Sequence, residues 1–165
     1  HFCVFVHSLH HTMFEQGLAT VKWNNRRSDG QPTNSTYEVD GDFFLLRAAE
    51  AYLNYAEADI RLNGTCSEKA KGYMDDVRAR AHAAAHLTYS LEDVLDERAR
   101  EFYCEGYRRT DLIRFGQYGG NQATYVWDGK NGTIPGTAFE AYRNIYPIPT
   151  SELMTNDNLK QNDGY

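Results

Sequence analysis

Residues 91–114, LEDVLDERAREFYCEGYRRTDLIR, constrain the fold more than any other stretch of the chain. Placed on a helix at about 100° per residue, Leu91, Val94, Leu95 and Phe102 form one apolar stripe. Arg98, Glu101 and Glu105 fall in the middle of that stripe. A surface helix keeps its charges on the opposite face. Charges on the apolar face must therefore be paired, because an unpaired buried ion costs several kcal/mol or more. Candidate partners lie just downstream, at Arg108, Arg109, Asp111 and Arg114. The pattern predicts a buried structural charge cluster of Arg98, Glu101, Glu105, Arg108, Asp111 and Arg114. Arginine suits the task because its planar fork can bond carboxylates bidentately. Ser90, with Asp93 three residues on, caps this helix, and Gly106 ends or bends it. Residues 108–115 then form a short helix folding back.

Further helices precede this one. The spacing predicts a long helix over 43–63, with Leu45, Ala49, Tyr52, Leu53, Ala56 and Ile60 on the apolar side, widened by Phe44 and Tyr55. Arg47, Glu50, Asn54, Glu57 and Arg61 line the polar side, where Glu57 and Arg61 make an i,i+4 pair. Gly64 is a stop signal, and Thr65 with Glu68 starts the next helix, which runs to about Ala81. So short a connection makes the pair a helical hairpin of roughly tetratricopeptide size, although the signature positions of that repeat are not clear. The fold class is mostly α, with tetratricopeptide-like hairpins, long irregular loops and minor β.

The remainder is irregular. Residues 1–40 form an N-terminal strand and loop segment, with a plausible strand at 17–23 (GLATVKW) and a loop at 24–40. Residues 116–145 are a glycine-rich, aromatic loop carrying Tyr118, Tyr125, Trp127 and Phe139. Residues 146–165 are an extended tail, because each proline of YPIP disfavours helix in the residue before it.

Three stretches together carry a family resemblance. ERAREFYCEGYRRTDLIR resembles the E-R-x-x-E-L-x-x-E-G-x-R-x-x-D-L-x-R segment of the SusD/RagB family. DFFLLRAAEAYLNYAEA (residues 42–58) is similar to the family's R-x-A-E-x-Y-L-x-Y-A-E-A helix. YPIPTSELMTNDNLKQNDGY is similar to its closing F-P-I-P-x-x-E-L-x-x-N-P-x-L-x-Q-N-P-G-Y, except that Asp157 and Asp163 stand where proline is usual. The three occur in family order from about Gly41 onward. Members are several times longer, so the resemblance implies a C-terminal portion (41–165) whose upstream part, and lipid anchor, lie elsewhere.

The resemblance also implies a function. Such proteins sit at the outer membrane of the cell surface and capture oligosaccharides, in a few cases peptides, as a lid over a SusC-like TonB-dependent transporter. Sugar capture uses flat aromatic faces with polar groups around them. Trp127, Tyr125 and Tyr118 are the candidate ligand-binding residues, weighed against simple core packing. A helical protein-interaction scaffold is the alternative.

Other classes fit less well. A net charge of −6 argues against nucleic acid, which favours a basic patch. No run approaches the ~20 apolar residues of a transmembrane helix. Cys3, Cys66 and Cys104 make neither a disulfide framework nor a C-x-x-C pair, and Cys3 has no lipidation context. His7, His10 and His11 read as strand or coil, and His82 with His86 as a helix end or loop, in preference to metal ligands. Glu97, Glu101 and Glu105 share one helix, as an acid–base pair would, but arginines around them favour the ionised carboxylate, whereas a general acid must keep its proton. A carboxylate-based glycoside hydrolase is accordingly the weakest reading. No catalytic residue, metal ligand or cofactor is assigned.

Overall fold

The long helix begins later than its periodicity suggests. In the computed structural model, which describes residue 27 and residues 29–35, 44–120 and 138–165, helix α1 is Ala48–Asn63. Arg47 before it is extended (φ −151°, ψ 157°). Phe44 and Leu45 lie outside the helix with exposed side chains, as does Leu46, which corrects the placement of Phe44 and Leu45 on its apolar face. The cause is non-local: the Arg47 side chain reaches Glu101, and its backbone breaks the helix to do so. The buried side of α1 is Leu53, Ala56, Glu57 and Ile60. Glu57 was expected on the polar side; it is buried, and its Oε1 takes Arg61 Nε at 2.9 Å.

Gly64 ends α1 as anticipated. It adopts the left-handed region (φ 72°), and its N–H closes on the Ile60 carbonyl at 2.9 Å. Helix α2, Glu68–Arg80, is capped by Ser67 and not by Thr65. Ser67 Oγ accepts the Ala70 N–H at 3.2 Å, while its own N–H donates to Asp59 Oδ2 at 2.8 Å. That second bond ties the turn to α1 and decides the register. Hydrogen bonding from the Ser67 backbone is also the chief cause holding the Asp59 carboxyl below the usual carboxylate range.

Ala70, Met74 and Val77 bury the inner face of α2, and α1 packs on both α2 and α3. Tyr52 stacks on Tyr73 at 4.5 Å between ring centroids, with the Tyr55 ring edge-on to Tyr73 at 5.2 Å. After α2 the chain turns at His82 (φ 56°). His82 and His86 lie outside any helix, so the i,i+4 geometry of a shared helical face is not formed.

Helix α3, Leu91–Glu101, carries the anticipated cap: Ser90 Oγ accepts the Asp93 N–H at 3.1 Å, and Asp93 Oδ2 takes the Ser90 N–H at 2.8 Å. Val94, Leu95 and Phe102 are buried, as the stripe predicts.

The chain divides into two compact units between Cys104 and Glu105. The second holds α4 (Arg108–Arg114), a 3₁₀ turn (Ala141–Asn144) and α5 (Thr150–Thr155). Minor β is confined, among the described residues, to an isolated parallel bridge between Gly119 and Phe139, which joins the described ends of the 116–145 loop. The strand expected at 17–23 lies outside the described residues. The architecture is therefore mostly helical.

Candidate functional site

In the first unit the charged stripe of α3 is buried and engaged. Glu97 Oε2 takes Arg78 Nη1 and Arg100 Nη2, each at 2.7 Å. The Glu101 carboxylate takes Arg47 and Arg80, and Arg47 Nη2 also donates to the Glu101 carbonyl at 2.7 Å. Arg98 Nη1 donates to Asn54 Oδ1 at 2.7 Å, so α3 is also bonded to the middle of α1. The guanidinium carbons of Arg47 and Arg98 lie 4.7 and 5.0 Å from the Phe102 ring centroid. A buried cluster was legible in the sequence, but Arg47, Arg78 and Arg80 come from upstream and were not anticipated. With carboxylates held between guanidinium groups, this cluster fixes helices.

A polar network joins α2 to the start of α3. Tyr89, buried, donates its hydroxyl proton to Asp75 Oδ1 at 2.6 Å and accepts the His86 N–H at 3.1 Å. Asp75 Oδ2 takes Lys71 Nζ at 2.6 Å. Burial pushes the Asp75 carboxyl up, but the bonds from Lys71 and Tyr89 outweigh it and leave it below the usual range. Asp93 is lowered first by hydrogen bonding from the Ser90 backbone, with a smaller contribution from His86, whose Nδ1 lies 3.7 Å from Asp93 Oδ1. Burial pushes the Cys66 thiol up.

The second unit carries the other half of the expected cluster and the aromatic surface. Glu105 and Asp111 are buried, and Asp111 Oδ1 takes Arg114 Nη2 at 2.8 Å, a local i,i+3 pair. Arg108, half-buried, opens α4. Arg109 faces rings: its guanidinium carbon is 5.0 Å from the Tyr118 centroid and 3.6 Å from that of Tyr146. Its Nη2 donates to the Arg143 carbonyl at 2.6 Å. Tyr118 stacks on Phe139 at 4.9 Å, so this candidate ligand residue is half-buried in an aromatic stack. Tyr125 and Trp127 lie outside the described residues.

The tail closes on itself by side-chain amides. Gln161 Oε1 accepts the Ile148 N–H at 2.8 Å, and Gln161 Nε2 donates to the Ile148 carbonyl at 2.9 Å. Asn162 Nδ2 donates to the Tyr146 carbonyl and the Tyr165 hydroxyl to the Ile145 carbonyl, each at 2.8 Å. Tyr165 sets its ring edge-on to Tyr142 at 4.9 Å. Gly164 is left-handed (φ 94°), and a Cβ there would overlap the Tyr142 ring. The YPIP and QNDGY stretches are thus two sides of one clasp, with Gln161, Asn162, Gly164 and Tyr165 each supplying a specific contact.

Residues 9–165 match the SusD family. The chain belongs to that family. This SusD-family chain is 45% identical over 153 residues to the Starch-binding protein SusD of Bacteroides thetaiotaomicron, covering 92% of this chain and 27% of that protein. Its structure is similar to Surface glycan-binding protein A from Bacteroides thetaiotaomicron (TM-score 0.64, 28% identity, 82% of this chain and 27% of that one). It is also similar to a Laminarin binding SusD-like protein (TM-score 0.55, 33% identity, 74% of this chain and 23% of that one). The chain therefore spans about a quarter of the length of these relatives. The three sequence stretches that resembled SusD/RagB proteins fall within the matched region, and the helical fold agrees with that of SusD-family structures.

Proposed function

We propose that this chain is part of a cell-surface protein that binds oligosaccharides without catalysis and passes them to a SusC-like TonB-dependent transporter in the outer membrane. The observation that carries this reading is the 45% identity, across 92% of the chain, to a protein named for starch binding. The ion pairs support a non-catalytic role: Glu97, Glu101 and Asp111 each bond a guanidinium, and the pairs of Glu97 and Glu101 tie α3 to α2. The aromatic groups of the second unit supply the kind of surface that sugars prefer, flat rings with hydrogen-bonding groups beside them. Trp127 and Tyr125 belong to the same proposal as loop residues that contribute further faces, with Asp128 or Asn131 taking hydroxyls. Attachment to the membrane and the transporter contacts are properties of the whole protein.

The test is a glycan array with the protein that carries this chain, followed by affinity isolation of its membrane partner. Oligosaccharide binding together with recovery of a TonB-dependent transporter is the expected result. Binding to peptides alone, or hydrolysis of the arrayed glycans, would overturn it.

A further inference from the structure

Tyr146 is 67% exposed, yet it is firmly held. Arg109 packs on its ring at 3.6 Å from the centroid. Asn162 Nδ2 holds its carbonyl at 2.8 Å, and Pro147 follows it and restricts its backbone. Arg109 is held in turn by the Arg143 carbonyl and lies against Tyr118, which is stacked on Phe139. The backing is thus built from α4, both ends of the aromatic loop and the tail clasp. Such an arrangement leaves Tyr146 exposed while its position is already fixed, so a ligand that covers it loses little side-chain entropy on binding.

The chemistry of the surroundings narrows the ligand. The ring offers a flat apolar surface with a negative quadrupole, suited to the C–H groups of a sugar ring. One face is backed by the Arg109 guanidinium and the Asn162 amide bonds the Tyr146 carbonyl, so polar groups border the ring where hydroxyls would project.

We propose that Tyr146 is a saccharide-stacking subsite for one hexopyranose unit of an oligosaccharide, with Arg109 as the group that positions its ring. This rests on the glycan-binding reading and adds to it a site distinct from Tyr118, Tyr125 and Trp127. Tyr118, 5.0 Å from the Arg109 guanidinium carbon, helps to hold that guanidinium in place.

Calorimetric titration of maltoheptaose and laminarihexaose into the protein that carries this chain tests the subsite. Tyr146→Ala should weaken binding of whichever sugar the wild type takes by at least about tenfold. Tyr146→Leu should do the same, since it keeps apolar area but loses the flat face. Tyr146→Phe, which keeps the ring, should stay within about twofold of wild type. Melting temperatures confirm that each variant is folded, and if Tyr146→Ala unfolds, Tyr146→Leu decides. Wild-type affinity in a folded Tyr146→Leu, or equal losses in the Phe and Leu variants, overturns the subsite alone. Where the wild type binds neither sugar, the titrations use the glycan that the array gives, and an array with no bound glycan removes the oligosaccharide reading and the subsite together.

Discussion

Arg47 holds residue Glu101 twice, at the main-chain carbonyl at 2.7 Å and at the carboxylate, across 54 positions of sequence. One guanidinium therefore both ends α3 and starts α1. Arg80 bonds the same carboxylate from a side chain that is 65% exposed, against 21% for Arg47. Arg47→Ala should cost about 2–3 kcal/mol, since it leaves a buried carboxylate and a carbonyl short of a charged donor. Arg80→Ala should cost no more than about 1 kcal/mol, as solvent replaces an exposed partner. Urea unfolding of the two variants measures the gap. Equal midpoint shifts would mean that Arg47 is not the anchor.

Acid should loosen the start of α3. Asp93 titrates below the usual carboxylate range in the folded chain, chiefly through the Ser90 N–H. The unfolded chain therefore takes up this proton first as pH falls. The stabilisation is fully present above about pH 4 and is lost as pH drops through the lower folded value. Asp93→Asn should melt earlier than wild type at about pH 6, and the gap should close towards about pH 2. A gap independent of pH would show that the carboxylate charge plays no part in the cap.

Two glycines separate strain from overlap. Gly64 and Gly164 are both left-handed, but a Cβ at Gly64 meets open space, whereas at Gly164 it meets the Tyr142 ring, with Cδ1 at 2.8 Å. Gly64→Ala should cost about 1–2 kcal/mol of backbone strain and leave the tail intact. Gly164→Ala should displace the tail and speed hydrogen exchange at the Ile148 amide, which Gln161 protects. Unchanged exchange in that variant would place the clasp's strength elsewhere.

The thiols should react in a fixed order. Cys104 is exposed, whereas Cys66 is half-buried with its thiol pushed up by burial. Iodoacetamide labelling near pH 8, read by peptide mapping, should modify Cys104 before Cys66. The reverse order would contradict the packing of the α1–α2 turn.

Trp127 remains the sequence-derived ligand candidate. On the proposed function, Trp127→Ala in the full-length protein that carries this chain should weaken oligosaccharide binding by at least about tenfold, or ~1.4 kcal/mol, with little change in melting temperature. Calorimetry decides it: an unfolded variant, or one of unchanged affinity, assigns Trp127 to packing.

Features written in neighbouring residues were legible, and features made by chain return were not. The Ser90–Asp93 cap, the Gly64 stop and the apolar stripe of α3 each need only a few adjacent positions. The burial of Arg98, Glu101 and Glu105 followed from charges on an apolar face. The upstream partners of Glu101 did not, because Arg47 looked like one more polar residue on a continuous helix. Thr65 and Ser67 are both good caps locally, and the choice fell to Asp59, eight residues before Ser67. At the aromatic surface, the prolines of YPIP announced an extended chain, but the seating of Tyr146 on Arg109 comes only from folding α4 and the tail together.

The Gln161 amide meets Ile148 as donor and acceptor at once, as a neighbouring strand would. Its two ends differ by a single heteroatom, and that makes the clasp chemically fragile. Deamidation to glutamate replaces the donating NH2 with a second acceptor and sets it against the Ile148 carbonyl. One hydrolytic event, with a change of about one dalton, would thereby turn a matched pair of bonds into a half-opposed one and leave the Asn162 and Tyr165 bonds to hold the clasp alone.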